Sequence, residues 1–173
     1  MSSRDIDNEL RERASRLARS TGNQKPISTE SFVAFLIGKQ CFGVPLSSVV
    51  YAGRLRHLTP IPNGPPHLLG VTVLAGHLIS VLDIAALFAL RRPGVADVNS
   101  CLIIESGPRK IGLAAEQALG IEEIPFDQIS EISLGESAAA IRRAAFVDRM
   151  HILLLDPHAV LTDPRLQGDR RNG

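Results

Sequence analysis

From Phe32 onward the chain is a succession of short apolar runs cut by glycine and proline, a pattern that predicts strands rather than long helices. Phe32-Val33-Ala34-Phe35-Leu36-Ile37 is apolar at every position, which predicts a strand buried on both faces. Gly38-Lys39-Gln40 reads as a turn into Cys41-Phe42-Gly43-Val44. The run Pro60-Ile61-Pro62-Asn63-Gly64-Pro65-Pro66 suits neither a helix nor a central strand and reads as a stiff connector. Gly70 to Leu74 and Leu78 to Leu82 flank Ala75-Gly76-His77, which looks like a hairpin. Asp83 follows, with Ile84, Leu87 and Phe88 at short helical spacing. An Asp in that position is expected as an N-cap, its carboxylate accepting the orphan amides of the first turn.

Residues 1–30 carry a different pattern. Ile6, Leu10, Ala14 and Leu17 recur at helical spacing among Arg11, Glu12, Arg16 and Arg19, which predicts an N-terminal amphipathic helix. Thr21-Gly22-Asn23 ends it and Lys25-Pro26 opens a linker. The expected organisation is this helix and linker over 1–30, a domain over 31–165, and a tail over 166–173.

Within the domain the sequence repeats. Gly38 and Gly43 recur as Gly107 and Gly112 at one offset, each pair following an apolar strand. Leu78-Ile79-Ser80-Val81-Leu82-Asp83 recurs as His151-Ile152-Leu153-Leu154-Leu155-Asp156 at a slightly longer offset that loops can absorb. The paired positions predict two similar β lobes, about 31–90 and 98–165. A lobe of about 65 residues is marginal alone, so the two are expected to share a core. Small closed or nearly closed barrels are the expected form, because closure removes exposed strand edges.

Composition narrows the function. Hydrophobic residues make up 45% of the 173 positions, enough for a core, but aromatics only 4%, with no Trp, so that core must be aliphatic. Lys+Arg at 19 against Asp+Glu at 18 gives no field to hold nucleic acid or an acidic membrane. Arg142-Arg143 and Arg54 with Arg56 lack aromatic neighbours on which bases would stack. No apolar run approaches the roughly 18 residues that span a bilayer, so no membrane insertion is expected. Cys41 and Cys101 sit in apolar segments and read as buried thiols in a cytoplasmic protein. The five histidines are dispersed, with no metal-ligand spacing and no phosphate-binding or nucleophile motif. Asp83 and Asp156, being equivalent in the repeat, read as two caps rather than a catalytic pair. Glu116, Glu122 and Glu123 read as a solvated face. The expectation is a chain with no catalytic, cofactor or metal site; the alternative to a protein adaptor is a ligand- or nucleic-acid-binding small β-barrel module.

The ordered segments resemble the CheW-like coupling proteins of bacterial chemosensory arrays. Phe32 to Gly38 with Phe42-Gly43-Val44 looks like that family's opening strands. Ile61 to Gly76 resembles its central motif, which runs from an Ile-Pro turn through a Gly (Gly70) into a hairpin closed by Gly76. Ile79 to Asp83 matches the next strand. Gly112 to Ala118 and Asp148 to Asp156 resemble strands of the second lobe. The resemblance covers about residues 30–163 and implies two five-stranded SH3-like β-barrel lobes around one core. It implies an adaptor, not an enzyme, that binds the regulatory domain of a CheA-type histidine kinase and the cytoplasmic tip of a chemoreceptor, with other CheW-like proteins as further candidate partners. It places the receptor-facing surface at Val49, Tyr51 and Ala75. Two departures stand out: the family's Asn-Leu-Arg-Gly hairpin is Val73-Leu74-Ala75-Gly76 here, and a Glu that accompanies that Arg is replaced by Tyr51. Both members of a charge pair are thus absent, which avoids leaving one unpaired and points toward a divergent array.

The composition shift at residues 21–30 makes the first segment separable. Deleting residues 1–25 is expected to preserve the circular-dichroism spectrum of a β protein and its melting transition. A collapsed transition would place Ile6, Leu10 and Leu17 in the core.

Overall fold

A computed structural model describes residues 28–90 and 98–166; the expected N-terminal helix and C-terminal tail lie outside them. The first repeat supplies β1 (Thr29–Ile37), β2 (Gln40–Pro45), a 3-10 turn (Leu46–Ser48), β3 (Val49–Arg54), β4 (Leu68–Leu74), β5 (His77–Leu82) and helix α1 (Ile84–Leu87). The second supplies β6 (Ser100–Ser106), β7 (Arg109–Ala115), β8 (Gln117–Pro125), a 3-10 turn (Phe126–Gln128), β9 (Ile129–Glu131), β10 (Ile141–Val147), β11 (Met150–Leu155) and α2 (Pro157–Leu161). Asp83 caps α1 by accepting from the Ala86 amide, and Asp156 caps α2 by accepting from the His158 and Ala159 amides.

The strands form two sheets, ordered β8-β1-β2-β11-β10-β9 and β3-β6-β7-β5-β4. Both are closed by a bent strand. In the first, β8 pairs with β1 and continues through a three-residue 3-10 turn into β9, which pairs with β10. In the second, β3 pairs with β6, and beyond it Thr59 exchanges two 2.8 Å backbone hydrogen bonds with Val71 of β4. Counting β8 and β9 as one bent strand, each barrel has five.

The barrels do not divide the chain at the expected 31–90 and 98–165 boundary. The second barrel is the continuous segment 49–115, inserted into a first barrel made of 29–45 and 117–155. The physical reason lies in the β1–β2 hairpin. It leaves its own repeat and pairs in parallel with β11, as β7 of the second repeat pairs in parallel with β5. This arrangement places β1 and β6 between the barrels, which explains their uninterrupted apolar runs. Phe32 and Ala34 fill the first barrel, while Val33, Phe35 and Ile37 face a central cluster shared with Leu102, Ile104 and Leu113. Cys101 and Ile103 fill the second barrel. Helix α1 plugs the seam with Ile84, Leu87 and Phe88, and α2 adds Val160.

Gly43 and Gly112, equivalent in the repeat, sit where the parallel strands meet. Gly43 pairs with Leu154, and a Cβ there would lie 2.9 Å from Leu154 Cδ2 and 3.2 Å from Ile152 Cγ2. Gly112 pairs with Val81, and its Cβ would lie 2.9 Å from Cys101 Sγ and 3.2 Å from Val81 Cγ2. Gly38 (φ 61°), Gly76 (φ 80°) and Gly107 (φ 60°) instead serve hairpin turns with left-handed backbone. Gly70 (φ 155°) has no room at all, since a Cβ would meet the Thr59 carbonyl oxygen at 2.3 Å.

Gly43→Val and Gly112→Val are therefore each expected to cost at least about 2 kcal/mol by overpacking a barrel interior. Chemical denaturation of the two variants measures this; near wild-type midpoints would show that the parallel seams are loosely packed.

Candidate partner-binding groove

The chain passes between the barrels twice, at the 3-10 turn Leu46–Ser48 and at Glu116, and a groove of about 430 Å³ opens just after these two crossings. Leu46, Val49, Val50, Tyr51 and Ala52 form one wall, and Ala118, Leu119, Gly120 and Ile121 of β8 form the other, with Val33 between. Glu116 fixes the second crossing. Its amide donates to Leu36 O at 2.9 Å and its carboxylate accepts from the Gly38 amide at 2.7 Å. The expected solvated glutamate face is thus put to structural use: Glu123 likewise accepts from the Thr29 and Ser31 hydroxyls.

Two irregular ladders shape the groove. The β3–β6 register shifts between Val49 and Tyr51, leaving Val50 without a partner across the sheet. The β1–β8 register shifts between Ala34 and Phe35, leaving Leu119 in the same position opposite. Such an extra residue bends its strand and re-aims side chains. Val50 is 44% exposed and Ile121 60%, both large apolar side chains turned to solvent.

Of the positions expected to face a receptor, Val49 and Tyr51 line the groove and Ala75 does not. Val49 is half-buried against the central cluster, and Tyr51 packs on the second barrel while its hydroxyl donates to Arg54 O at 3.1 Å. Ala75 is exposed in the β4–β5 turn with left-handed backbone (φ 49°). Beside it the cross-strand neighbours Val73 and Leu78 are 65% and 71% exposed. Sequence reading missed Leu46, Val50 and Ile121. The repeat offered a partial signal, since Val44-Pro45-Leu46 mirrors Ile124-Pro125-Phe126, but neither ladder shift is written in a local motif.

Other chemistry does not assemble among the described residues. No group of three or more His, Cys, Asp or Glu could hold a metal ion. No helix among the described residues is long and apolar enough to cross a membrane. Arg143 is bound bidentately by Glu30, at 2.8 and 3.3 Å, and Arg142 donates to Ala139 O.

Closed, insertion-linked five-stranded barrels with an apolar groove at their crossing define the fold class. The CheW-like domain matches residues 31–165, and the chain belongs to that family of non-enzymatic scaffold and adaptor proteins. Protein FrzA of Myxococcus xanthus is 30% identical over 111 residues, covering 64% of this chain and 69% of that protein. Protein PilI of Pseudomonas aeruginosa is 23% identical over 159 residues, covering 90% and 87%. The crystal structure of scaffolding protein TtCheW from Thermoanaerobacter tengcongensis matches with a TM-score of 0.69 at 20% identity, over 80% of this chain and 96% of that one.

The two free thiols occupy barrel interiors, Cys41 in the first and Cys101 in the second. Burial pushes the Cys101 thiol up to about 12, and burial, aided by the Glu122 charge, raises Cys41. Neither thiol is expected to react with Ellman's reagent at pH 8 until the protein is unfolded. In the unfolded chain the thiols ionise from pH 9.0, while folded Cys101 holds its proton to about 12, so stability should fall as pH rises through that window. Rapid labelling of native protein would show that the barrels open.

Proposed function

We propose that this chain couples the cytoplasmic tip of a chemoreceptor to the regulatory domain of a CheA-type histidine kinase, and that the groove between β3 and β8 receives the receptor. Membership of the CheW-like family supports the coupling role. The observation that carries the site is the groove itself, an apolar depression between two barrels with Leu46, Val50 and Ile121 exposed along it. Receptor tips are helical, and helix-in-groove recognition depends on burying such side chains. The positions carried over from the family, Val49 and Tyr51, belong to its β3 wall, and the hairpin at Ala75 provides a further contact. The kinase domain engages a separate surface, and other CheW-like proteins compete for or extend it. In this reading the chain works in the cytoplasm, needs no cofactor and reaches the membrane through its partners.

The alternative of a ligand- or nucleic-acid-binding barrel has less to rest on. Both barrel interiors are filled by side chains, and Arg143 is already neutralised by Glu30.

Val50→Glu is expected to weaken binding of the receptor tip at least about tenfold, roughly 1.4 kcal/mol, with kinase binding and melting temperature near wild type. Val49→Lys should instead lower the melting temperature, because Val49 packs on the central cluster. Calorimetric titration and a thermal melt on one preparation of each variant decide this. Unchanged receptor affinity in Val50→Glu would remove the groove from the receptor interface.

A further inference from the structure

Between β3 and β4 the chain runs through the proline-rich connector, whose apex is the tight turn Ile61-Pro62-Asn63-Gly64, with the Gly64 amide donating to Ile61 O at 3.3 Å. Pro62 fixes one dihedral of that turn. Asn63 has left-handed backbone (φ 58°), a conformation Asn tolerates better than most side chains. Gly64 supplies room, since a Cβ there would lie 3.3 Å from Ile61 O. The same missing side chain leaves the Gly64 nitrogen unshielded. The Asn63 side chain is exposed and makes no hydrogen bond among the described residues.

We infer that Asn63 is a site of spontaneous modification, where the side-chain amide is exchanged for a carboxylate and the main chain is partly rerouted. The Gly64 backbone nitrogen gives its proton to solvent and bonds to Asn63 Cγ. The bond from Cγ to the side-chain nitrogen breaks, that nitrogen leaves as ammonia, and a five-membered succinimide closes. Water then opens the ring. Attack at Cγ restores the peptide bond as an ordinary aspartate; attack at the main-chain carbonyl gives isoaspartate, whose backbone runs through Cβ and Cγ and is one atom longer. Reaching Cγ requires the Gly64 hydrogen bond to open, and that bond is long and near solvent. Asn99 is the contrast: Ser100 after it lies in the β6 ladder, and its own carbonyl accepts from the Leu55 amide at 3.0 Å.

The consequence falls on the closure of the second barrel. On either side of the turn, Thr59 and Val71 exchange their two 2.8 Å hydrogen bonds, and His67 O accepts from the Asp83 amide at 2.8 Å. Gly70 lies against the Thr59 carbonyl. Aspartate keeps the backbone length and tolerates the left-handed region, so the closure survives it. Isoaspartate inserts an atom between two fixed points.

Full-length protein incubated at mildly acid and mildly alkaline pH, then digested with trypsin, tests this. The peptide from His57 to Arg91 holds Asn63 as its one asparagine, and Asn172, which also precedes a glycine, falls in another peptide. The expected result is an amide-to-acid mass change in the first peptide, faster at alkaline pH because the attacking nitrogen must lose its proton. The product should accept a methyl group from an isoaspartyl-specific carboxyl methyltransferase. Gly64→Ala should slow conversion at least about tenfold. Asn63→Asp should melt with wild type, while aged protein rich in isoaspartate melts lower. Native protein that stays unconverted while denatured protein converts overturns the inference, because the turn then protects Asn63. Equal rates at Asn63 and Asn99, or a rate unmoved by Gly64→Ala, overturn it too. Conversion with an unchanged melt overturns the effect on barrel closure.

Discussion

At two places in this molecule a strand from one half of the sequence lies parallel to a strand from the other, with only hydrogen allowed between them. At Gly43 the space is taken by Leu154 and Ile152; at Gly112 it is taken by Cys101 and Val81. Each sheet is continued from one repeat into the other at this contact, because β2 and β7 are the strands through which the repeats reach each other. The contact also commits β1 and β6 to lie between the barrels, buried on both faces. The hydrophobic effect then acts on one continuous body of Val, Ile, Leu and Phe side chains, large enough to hold two units that would be marginal apart.

Much of this was legible in the chain. The fully apolar run from Phe32 to Ile37 pointed to burial on both faces, because a half-exposed strand would alternate. The paired glycines and the paired Asp83 and Asp156 revealed the repeat, since tight turns, close approaches and helix caps each restrict the residue type. What stayed hidden was the partner of each strand. A repeat shows that two segments share a shape, but hydrophobic pattern is satisfied equally by pairing within a copy or across copies. The insertion of 49–115 into the first barrel is therefore invisible in the pattern, although β8, a strand present only in the second copy between Glu116 and Pro125, is what makes the insertion possible.

The groove shows the same division. Val49 and Tyr51 fell in it because the resemblance carried them there, while Val50 did not. On β3 exposure alternates, and Val49 and Tyr51 are the inward members. Their neighbour Val50 is the outward member, and what leaves it unpaired is a one-residue shift against β6, some fifty positions away in sequence. Glu116 offers the converse lesson: in the sequence it reads as solvated, yet a turn from the other repeat donates an amide to its carboxylate.

The insertion bears on how force and position pass through the chain. Adaptors built as beads on a string can swing about a linker, so a push on one bead is partly lost as rotation. Here the covalent path leaves the first barrel and returns to it, and both barrels are mortised into one core by β1, β6 and α1. Among the described residues the two barrels meet in one packed core rather than across a linker, so a load on one barrel bears on the other through side chains instead of being lost as rotation.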